Sequence, residues 1–252
     1  MNTRAKPRIA LVGYGRMGRA IHACLTTREY PEPIIVDPSL PGATATLDQA
    51  ADADVCIEFT HPSAVVGNLL SLADMHVPVV CGTTGWSSEM PRIAGMFRSK
   101  GSALIAASNF SIGVHMLKRL THLAAAMAHV FQEYDISIHE IHHRGKEDAP
   151  SGTALSLAEI VMQECPKKSV LLHPVPPRKV GENELCISSS RIGHVVGTHE
   201  VRMDSEIDSL CVSHEAKSRN GFVEGAILAA QWIIGKQGVF SAEEMFDDII
   251  AK

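Results

Sequence analysis

Apolar residues in this chain fall into short continuous runs separated by stretches of helical spacing, and that alternation predicts an α/β fold. Residues 8–12 form a β-branched apolar run that ends at a glycine, the pattern of a parallel strand buried on both faces. The same reading predicts a helix over 19–25, short strands over 33–37 and 54–59, and a helix from 61 with Pro62 in its first turn. A strand over 77–81, a helix over 90–100 and a strand over 103–106 continue the series. These segments predict an N-terminal parallel sheet with helices on its faces.

The pattern changes after residue 111. Residues 112–131 place Val114, Leu117, Leu120, Leu123 and Ala124 at three- and four-residue spacing, a long helix leading into a second domain. Residues 134–141 set Ile136 and Ile138 against Asp135, Ser137 and His139, the period-two signature of a half-buried strand. Ser151 is placed to cap a helix running to about 163, and 166–177 reads as a loop with four prolines. Strand-like runs at 185–191, 197–203 and 209–214 follow in direct succession, so a mixed or antiparallel sheet is expected rather than further βαβ units. A helix over 219–235 is expected to return to the first domain, and Ser241 with Glu244 forms a capping box for a short final helix. The predicted division is 1–111 with 220–252, and 112–219.

Composition narrows the function classes. Of 252 residues, 45% are hydrophobic and 20% charged, as in an ordinary globular protein, and the net charge of -5 argues against nucleic-acid or anionic-membrane binding. No apolar run reaches the ~18 residues of a membrane span, and the polar start at 1–6 does not read as a signal peptide. The six cysteines lie far apart with no Cys-x-x-Cys pair, which predicts reduced thiols, a cytoplasmic protein, and neither a thiol nucleophile nor a zinc site.

The first strand runs into Gly13-Tyr-Gly-Arg-Met-Gly18, then a helix, then a strand that ends at Asp37. This is the context of a dinucleotide-binding fingerprint: Gly13 for the tight turn, Gly15 for close approach to a pyrophosphate, Gly18 for helix-on-strand packing. Asp37 would accept hydrogen bonds from ribose hydroxyls and repel a 2′-phosphate. No basic residue follows it, so NADH is expected over NADPH. The alternative for Asp37 is a turn residue before Pro38. Thr60, Gly82-Thr83-Thr84 and Ser108-Asn109-Phe110 fall at the carboxyl ends of strands, where an open sheet binds its ligand. The alternative for 82–85 is a plain loop and helix cap.

The densest chemistry lies in Glu-Ile-His-His-Arg-Gly-Lys-Glu-Asp-Ala-Pro-Ser-Gly-Thr at 140–153. Adjacent His142 and His143 point to opposite sides of a strand end, which separates their roles. A metal site would need His139, Glu140 and one of this pair to converge, and no further ligand is evident. Ser151, Gly152 and Thr153 at a helix start suit a carboxylate, Lys146 adds a point charge, and His143 a hydrogen bond, so a dicarboxylate substrate is expected. His142 suits proton donation to a substrate being reduced. The bland alternative is a pair of structural histidines.

This string resembles the signature of the 4-hydroxy-tetrahydrodipicolinate reductases, also called dihydrodipicolinate reductases. So do Gly-Arg-Met-Gly at 15–18, Glu-Phe-Thr-His-Pro at 58–62, Gly-Thr-Thr-Gly at 82–85, Ser-Asn-Phe-Ser-Ile-Gly at 108–113 and His-Glu-Ala-x-Ser-Arg at 214–219. The resemblance implies an N-terminal Rossmann domain over 1–111 and 220–252, and a C-terminal α+β domain over 112–219 that carries substrate and homotetramer contacts. It implies reduction of 4-hydroxy-tetrahydrodipicolinate in lysine and diaminopimelate biosynthesis, with hydride from NADH or NADPH. By position it gives proton-transfer roles to His142 and Lys146 and carboxylate binding to His143, Gly152 and Thr153. It gives nicotinamide contacts to Gly82, Thr83, Thr84, Ala107, Ser108, Asn109 and Phe110, and cofactor contacts to Arg16 and Met17. Two departures stand out: the glycine loop is one residue shorter than the family's commoner form, and Pro38 stands where a basic residue is frequent. Both favour NADH, while Arg16 leaves NADPH open. The fingerprint alone would also fit a reductase of another dicarboxylate or imino acid, or a nucleotide sensor without catalysis.

Overall fold

The structure, a computed structural model, describes residues 6–40 and 46–251. It divides into two compact units, one of residues 1–111 with 220–252 and one of residues 112–219.

In the first unit a six-stranded parallel sheet runs β11-β5-β4-β3-β1-β2. Its strands are β1 (Ile9–Val12), β2 (Ile34–Val36), β3 (Val55–Glu58), β4 (Val79–Cys81), β5 (Ala103–Ala106) and β11 (Gly238–Phe240). The continuous apolar runs become strands because both faces are covered. Ile9, Leu11, Val55 and Ile57 point into a core shared with the helices α1 (Arg16–Thr27), α6 (Asn220–Ile233) and α7 (Ala242–Ile250). Ala10, Val12, Cys56 and Val79 point into a second core with α2 (Pro62–Asp74) and α3 (Met90–Ser99). The predicted capping box opens α7: Ser241 accepts from the Glu244 N–H, and the Glu244 side chain accepts from the Ser241 N–H. β11 was not expected. It adds a parallel edge strand beside β5.

The second unit is a five-stranded mixed sheet, β10-β9-β6-β8-β7, with α4 (Ile112–Val130) and α5 (Gly152–Glu164) against one face. β6 (Asp135–His142) is central, parallel to β8 (Glu184–Arg191) and antiparallel to β9 (Thr198–Asp204), which pairs antiparallel with β10 (Ser209–Glu215). Within the stretch expected to be a loop, Val170–Leu172 forms β7, held by parallel pairing to β8. On α4 the expected stripe divides. Val114, Leu117 and Ala124 are buried, whereas Leu120 and Leu123 join Met116, Met127 and Val130 on an exposed face. The turn of the helix, ~100° per residue, separates the two sets.

Along β6, Ile136, Ile138, Glu140 and His142 are buried while Ser137, His139 and Ile141 are only half-buried. The helix-facing side of the sheet therefore begins apolar and turns polar at one end. There Glu140 pairs in register with Ser189 on one side and His199 on the other, and His142 pairs with Arg191.

Candidate functional site

The first unit builds its site from the glycine turn. Gly13 has φ +94°, and a Cβ there would lie 2.2 Å from the Phe59 carbonyl oxygen, so only glycine fits. A Cβ on Gly18 would come within 2.2 Å of the Gly13 carbonyl, which lets α1 start flush against the turn. Gly15 faces open space and caps α1 without a side-chain bond, leaving the first-turn N–H groups for a ligand. Asp37 is tied to this turn: its Oδ2 accepts from the Tyr14 N–H at 2.7 Å, and its Oδ1 accepts from the Ser39 N–H and hydroxyl. The Ser39 hydroxyl bond holds the carboxyl below its ordinary range, so it is charged at neutral pH.

A cavity of about 660 Å³ opens here, lined among others by Gly13, Gly15, Asp37, Thr60 and His61. Its open glycine edge fits the phosphates of a dinucleotide. A smaller cavity of about 180 Å³ collects Thr83, Thr84, Ala107 and Ser108, four of the residues expected near the nicotinamide. The other expected residues do different work. Gly82 packs against the Phe59 ring, where a Cβ would lie 2.0 Å away. The Asn109 Oδ1 accepts from the Ser111 N–H at 2.7 Å. Phe110 is a buried core side chain, and Met17, half-buried, packs on the same core. Arg16 is exposed at the start of α1.

The second unit holds the histidine loop. His142 ends β6 and is buried, His143 is half-buried, and Lys146 lies one turn on, its N–H donating to the His143 carbonyl at 3.1 Å. Lys146 Nζ donates to both carboxylate oxygens of Asp148, at 2.7 and 2.9 Å. Asp148 is exposed, and a solvent-facing pair of this kind is weak and readily exchanged for another carboxylate. Arg144 contributes a backbone N–H to the Gly193 carbonyl at 3.3 Å.

Ser151 caps α5 as expected, and its polar groups turn inward. Its N–H donates to Glu140 Oε2 at 3.1 Å, its hydroxyl accepts from the Ala154 N–H, and the same hydroxyl lies 3.0 Å from His199 Nε2. Both groups are used inside the fold, and Ser151 is buried. Gly152, exposed, and Thr153, half-buried, are the residues of this turn left facing outward at the N-terminus of α5.

Behind the loop sits a polar cluster that the linear motif did not announce. Glu140, with no exposed surface, accepts from Arg191 Nη2 at 3.0 Å, and Arg191 Nη2 also donates to the Asp148 carbonyl at 2.6 Å. His142 Nδ1 lies 3.3 Å and His199 Nε2 3.8 Å from Glu140 Oε2, and the two imidazoles meet edge to face at 5.0 Å. Burial works to raise the Glu140 pKa, but hydrogen bonds from Ser151 and Arg191 hold it at about 2. Burial pushes His142 below its usual range and His199 down to about 4. Glu140, His142 and His199 offer ligand atoms within 4.8 Å of one another, the convergence that the sequence reading lacked. A metal cation there would share its carboxylate with the Arg191 guanidinium, which already supplies the opposing charge.

Comparison with known proteins agrees along the chain. The family profile "Dihydrodipicolinate reductase, C-terminus" matches residues 113–246, and "Dihydrodipicolinate reductase, N-terminus" matches 34–110. A 4-hydroxy-tetrahydrodipicolinate reductase of Christiangramia forsetii is 35% identical over 96% of this chain and 98% of its own length. One from Aquifex aeolicus is 38% identical over 77% of this chain and 72% of its own. In fold, the chain is similar to the solved dipicolinate-bound dihydrodipicolinate reductase of Paenisporosarcina sp. TG-14. Their TM-score is 0.76 at 21% identity, covering 94% of this chain and 97% of that one. With both halves matched and a relative aligned along nearly all of its length, the chain belongs to the dihydrodipicolinate reductase family, a family of oxidoreductases.

Proposed function

We propose that this chain reduces 4-hydroxy-2,3,4,5-tetrahydrodipicolinate to 2,3,4,5-tetrahydrodipicolinate, with NADH as the preferred donor, in diaminopimelate and lysine biosynthesis. In balance, the 4-hydroxyl and one ring proton leave together as water, and one hydride and one proton enter. The bound dihydronicotinamide supplies the hydride. The observation that carries the reading is a buried histidine and a weakly held lysine set just ahead of a helix N-terminus. Thr153, the exposed N–H groups at Gly152 and His143 hold one substrate carboxylate, and Lys146 leaves Asp148 for the substrate. Hydride addition leaves an electron-rich, enamine-like centre, and His142 with Lys146 delivers the proton that completes the reduction.

The domain roles follow from these assignments: residues 1–111 with 220–252 bind the dinucleotide, and 112–219 bind the substrate and the partner subunits. NADH preference is supported by the ionised Asp37, followed by Pro38 instead of a basic residue. Gly13, Gly15 and Gly18 take the pyrophosphate side, with Arg16 and Met17 acting through backbone N–H groups. Thr83, Thr84, Ala107 and Ser108 face the nicotinamide side, with Gly82, Asn109 and Phe110 as its backbone frame. A homotetramer is supported by the exposed apolar face of α4, and the cytoplasm by six free cysteines. Among the described residues no helix is long and apolar enough to cross a membrane.

The test is a coupled assay in which the substrate is made enzymatically in situ and NADH absorbance is followed. His142→Ala and Lys146→Ala are each expected to lower kcat by ~10²-fold or more. Full activity in both variants would refute the assigned roles. Light scattering of the purified protein tests the tetramer.

A further inference from the structure

Glu140 is fully buried and ionised, and the proposed reaction leaves it without a task. Its Oε1 faces Arg191, while its Oε2 accepts from the Ser151 N–H and lies 3.3 Å from His142 Nδ1. Among the described residues that nitrogen makes no hydrogen bond, and Glu140 Oε2 is the carboxylate oxygen beside it. The pair is within hydrogen-bonding distance but not aligned as a bond, and catalytic hydrogen bonds are commonly long or poorly aligned until substrate binds. On the opposite edge of the ring, Nε2 faces Gly197, where a Cβ would stand 3.0 Å away. The imidazole is thus backed by a carboxylate on one nitrogen and kept clear of side chain on the other.

We propose that Glu140 is a positioning residue for the reduction: its carboxylate holds the His142 imidazole by Nδ1 and leaves Nε2 to carry the proton to substrate. The inference rests on His142 being the proton donor. A carboxylate at one imidazole nitrogen fixes the tautomer and stabilises the imidazolium, as in any acid–histidine pair. The groups that face His142 divide in sign. Lys146 in the loop and Arg191 from β8 oppose its protonation, while Glu140 on its own strand and Asp148 favour it. His199 from β9 is itself neutral near neutral pH, and His214, paired with it on β10, stands behind it. Glu140 is the one acidic side chain among these with no exposed surface. Arg191 secures its charge and ties it to the loop through the Asp148 carbonyl.

The test uses the full-length protein with isotope-labelled histidine, comparing wild type with Glu140→Gln by NMR and by pH-dependent kinetics. In wild type, the His142 nitrogen shifts should report a proton on Nδ1. In Glu140→Gln that preference is lost and the titration moves about one pH unit lower, a ten-fold weaker proton affinity. kcat should fall roughly ten- to a hundred-fold, short of the ~10²–10⁴-fold range for losing the acid itself. KM should change less than about three-fold, because the carboxylate-binding residues are untouched. Glu140→Asp should recover part of kcat. Gly197→Ala, which presses on Nε2, should lower kcat while leaving the tautomer as in wild type. A Glu140→Gln enzyme with wild-type tautomer, pH profile and kcat overturns the proposal while leaving His142 as donor. Full activity of His142→Ala overturns the donor assignment itself, and the proposal with it.

Discussion

Arg191 Nη2 stands 3.0 Å from Glu140 Oε1, pairing residues 51 positions apart on adjacent strands at the polar end of an otherwise apolar sheet face. The Glu140 side chain has no exposed surface and that of Arg191 is 20% exposed. Removing the cation from such a pair leaves a charge that the interior cannot solvate, a loss on the order of 3 kcal/mol. Arg191→Met should therefore lower the unfolding free energy, measured by urea denaturation at pH 7, by that amount. The double variant Arg191→Met/Glu140→Gln should regain most of it, because the charge has gone with its partner. Losses that simply add in the double variant would contradict the pairing.

The first sheet was legible because its strands are buried on both faces, so they read as unbroken apolar runs. β7 and β11 were not, because neither is buried on both faces and each owes its form to a neighbouring strand, β8 or β5. In the site, His142 and Lys146 were visible in one linear string. Arg191 and His199 come from strands later in the chain, and no local pattern links them to Glu140. A signal existed nonetheless: the alternation that buries Ile136 and Ile138 also buries Glu140 and His142, and it places a carboxylate where only a partner could keep it. Helix N-termini bind anions, so the sequence points to Ser151 as a substrate ligand. The structure gives that anion role for the Ser151 N–H to Glu140, an anion within the chain.

Cofactor choice should turn on Asp37. Its carboxylate accepts from the Tyr14 N–H at 2.7 Å and stays ionised at neutral pH. Asp37→Asn keeps an acceptor for Tyr14 but loses the charge that repels a 2′-phosphate and binds ribose hydroxyls. The ratio of kcat/KM for NADH over NADPH should fall roughly ten-fold, about the effect of one charge-assisted hydrogen bond. A wild-type ratio that already favours NADPH would refute the role given to Asp37.

Two helix glycines should respond in opposite directions. On α6, a Cβ at Gly225 would lie 1.6 Å from the Phe110 carbonyl oxygen, a backbone atom that cannot move aside cheaply. Gly225→Ala should cost on the order of 3 kcal/mol or more in thermal unfolding. On α3, a Cβ at Gly95 would meet nothing within 4 Å. Gly95→Ala should stabilise by about 0.5–1 kcal/mol through helix propensity alone. Equal responses would mean that α6 does not pack flush against the backbone at Phe110.

Acid sensitivity should begin well above the carboxylate range, because of His199. Burial, with the neighbouring His142 adding to it, lowers its pKa to about 4 from the ordinary ~6.5. Between those values the unfolded chain binds the extra proton and the folded chain does not. The contribution of His199 is therefore complete above about pH 6.5 and is lost as pH falls toward 4. Glu140, held at about 2, stays ionised in the folded chain and adds slope only as pH falls toward the ordinary glutamate value of ~4.5, below the two pH values compared. Going from pH 7.5 to 5.5, wild type should lose roughly 1 kcal/mol of unfolding free energy through this one residue. His199→Gln, which keeps a partner for the Ser151 hydroxyl, should flatten the profile by that amount, leaving the smaller slopes of His142 and His214, both also lowered by burial. Chemical denaturation at the two pH values measures the difference. An unchanged slope in His199→Gln would mean that the imidazole takes up its proton inside the fold, with Glu140 as its counter-charge.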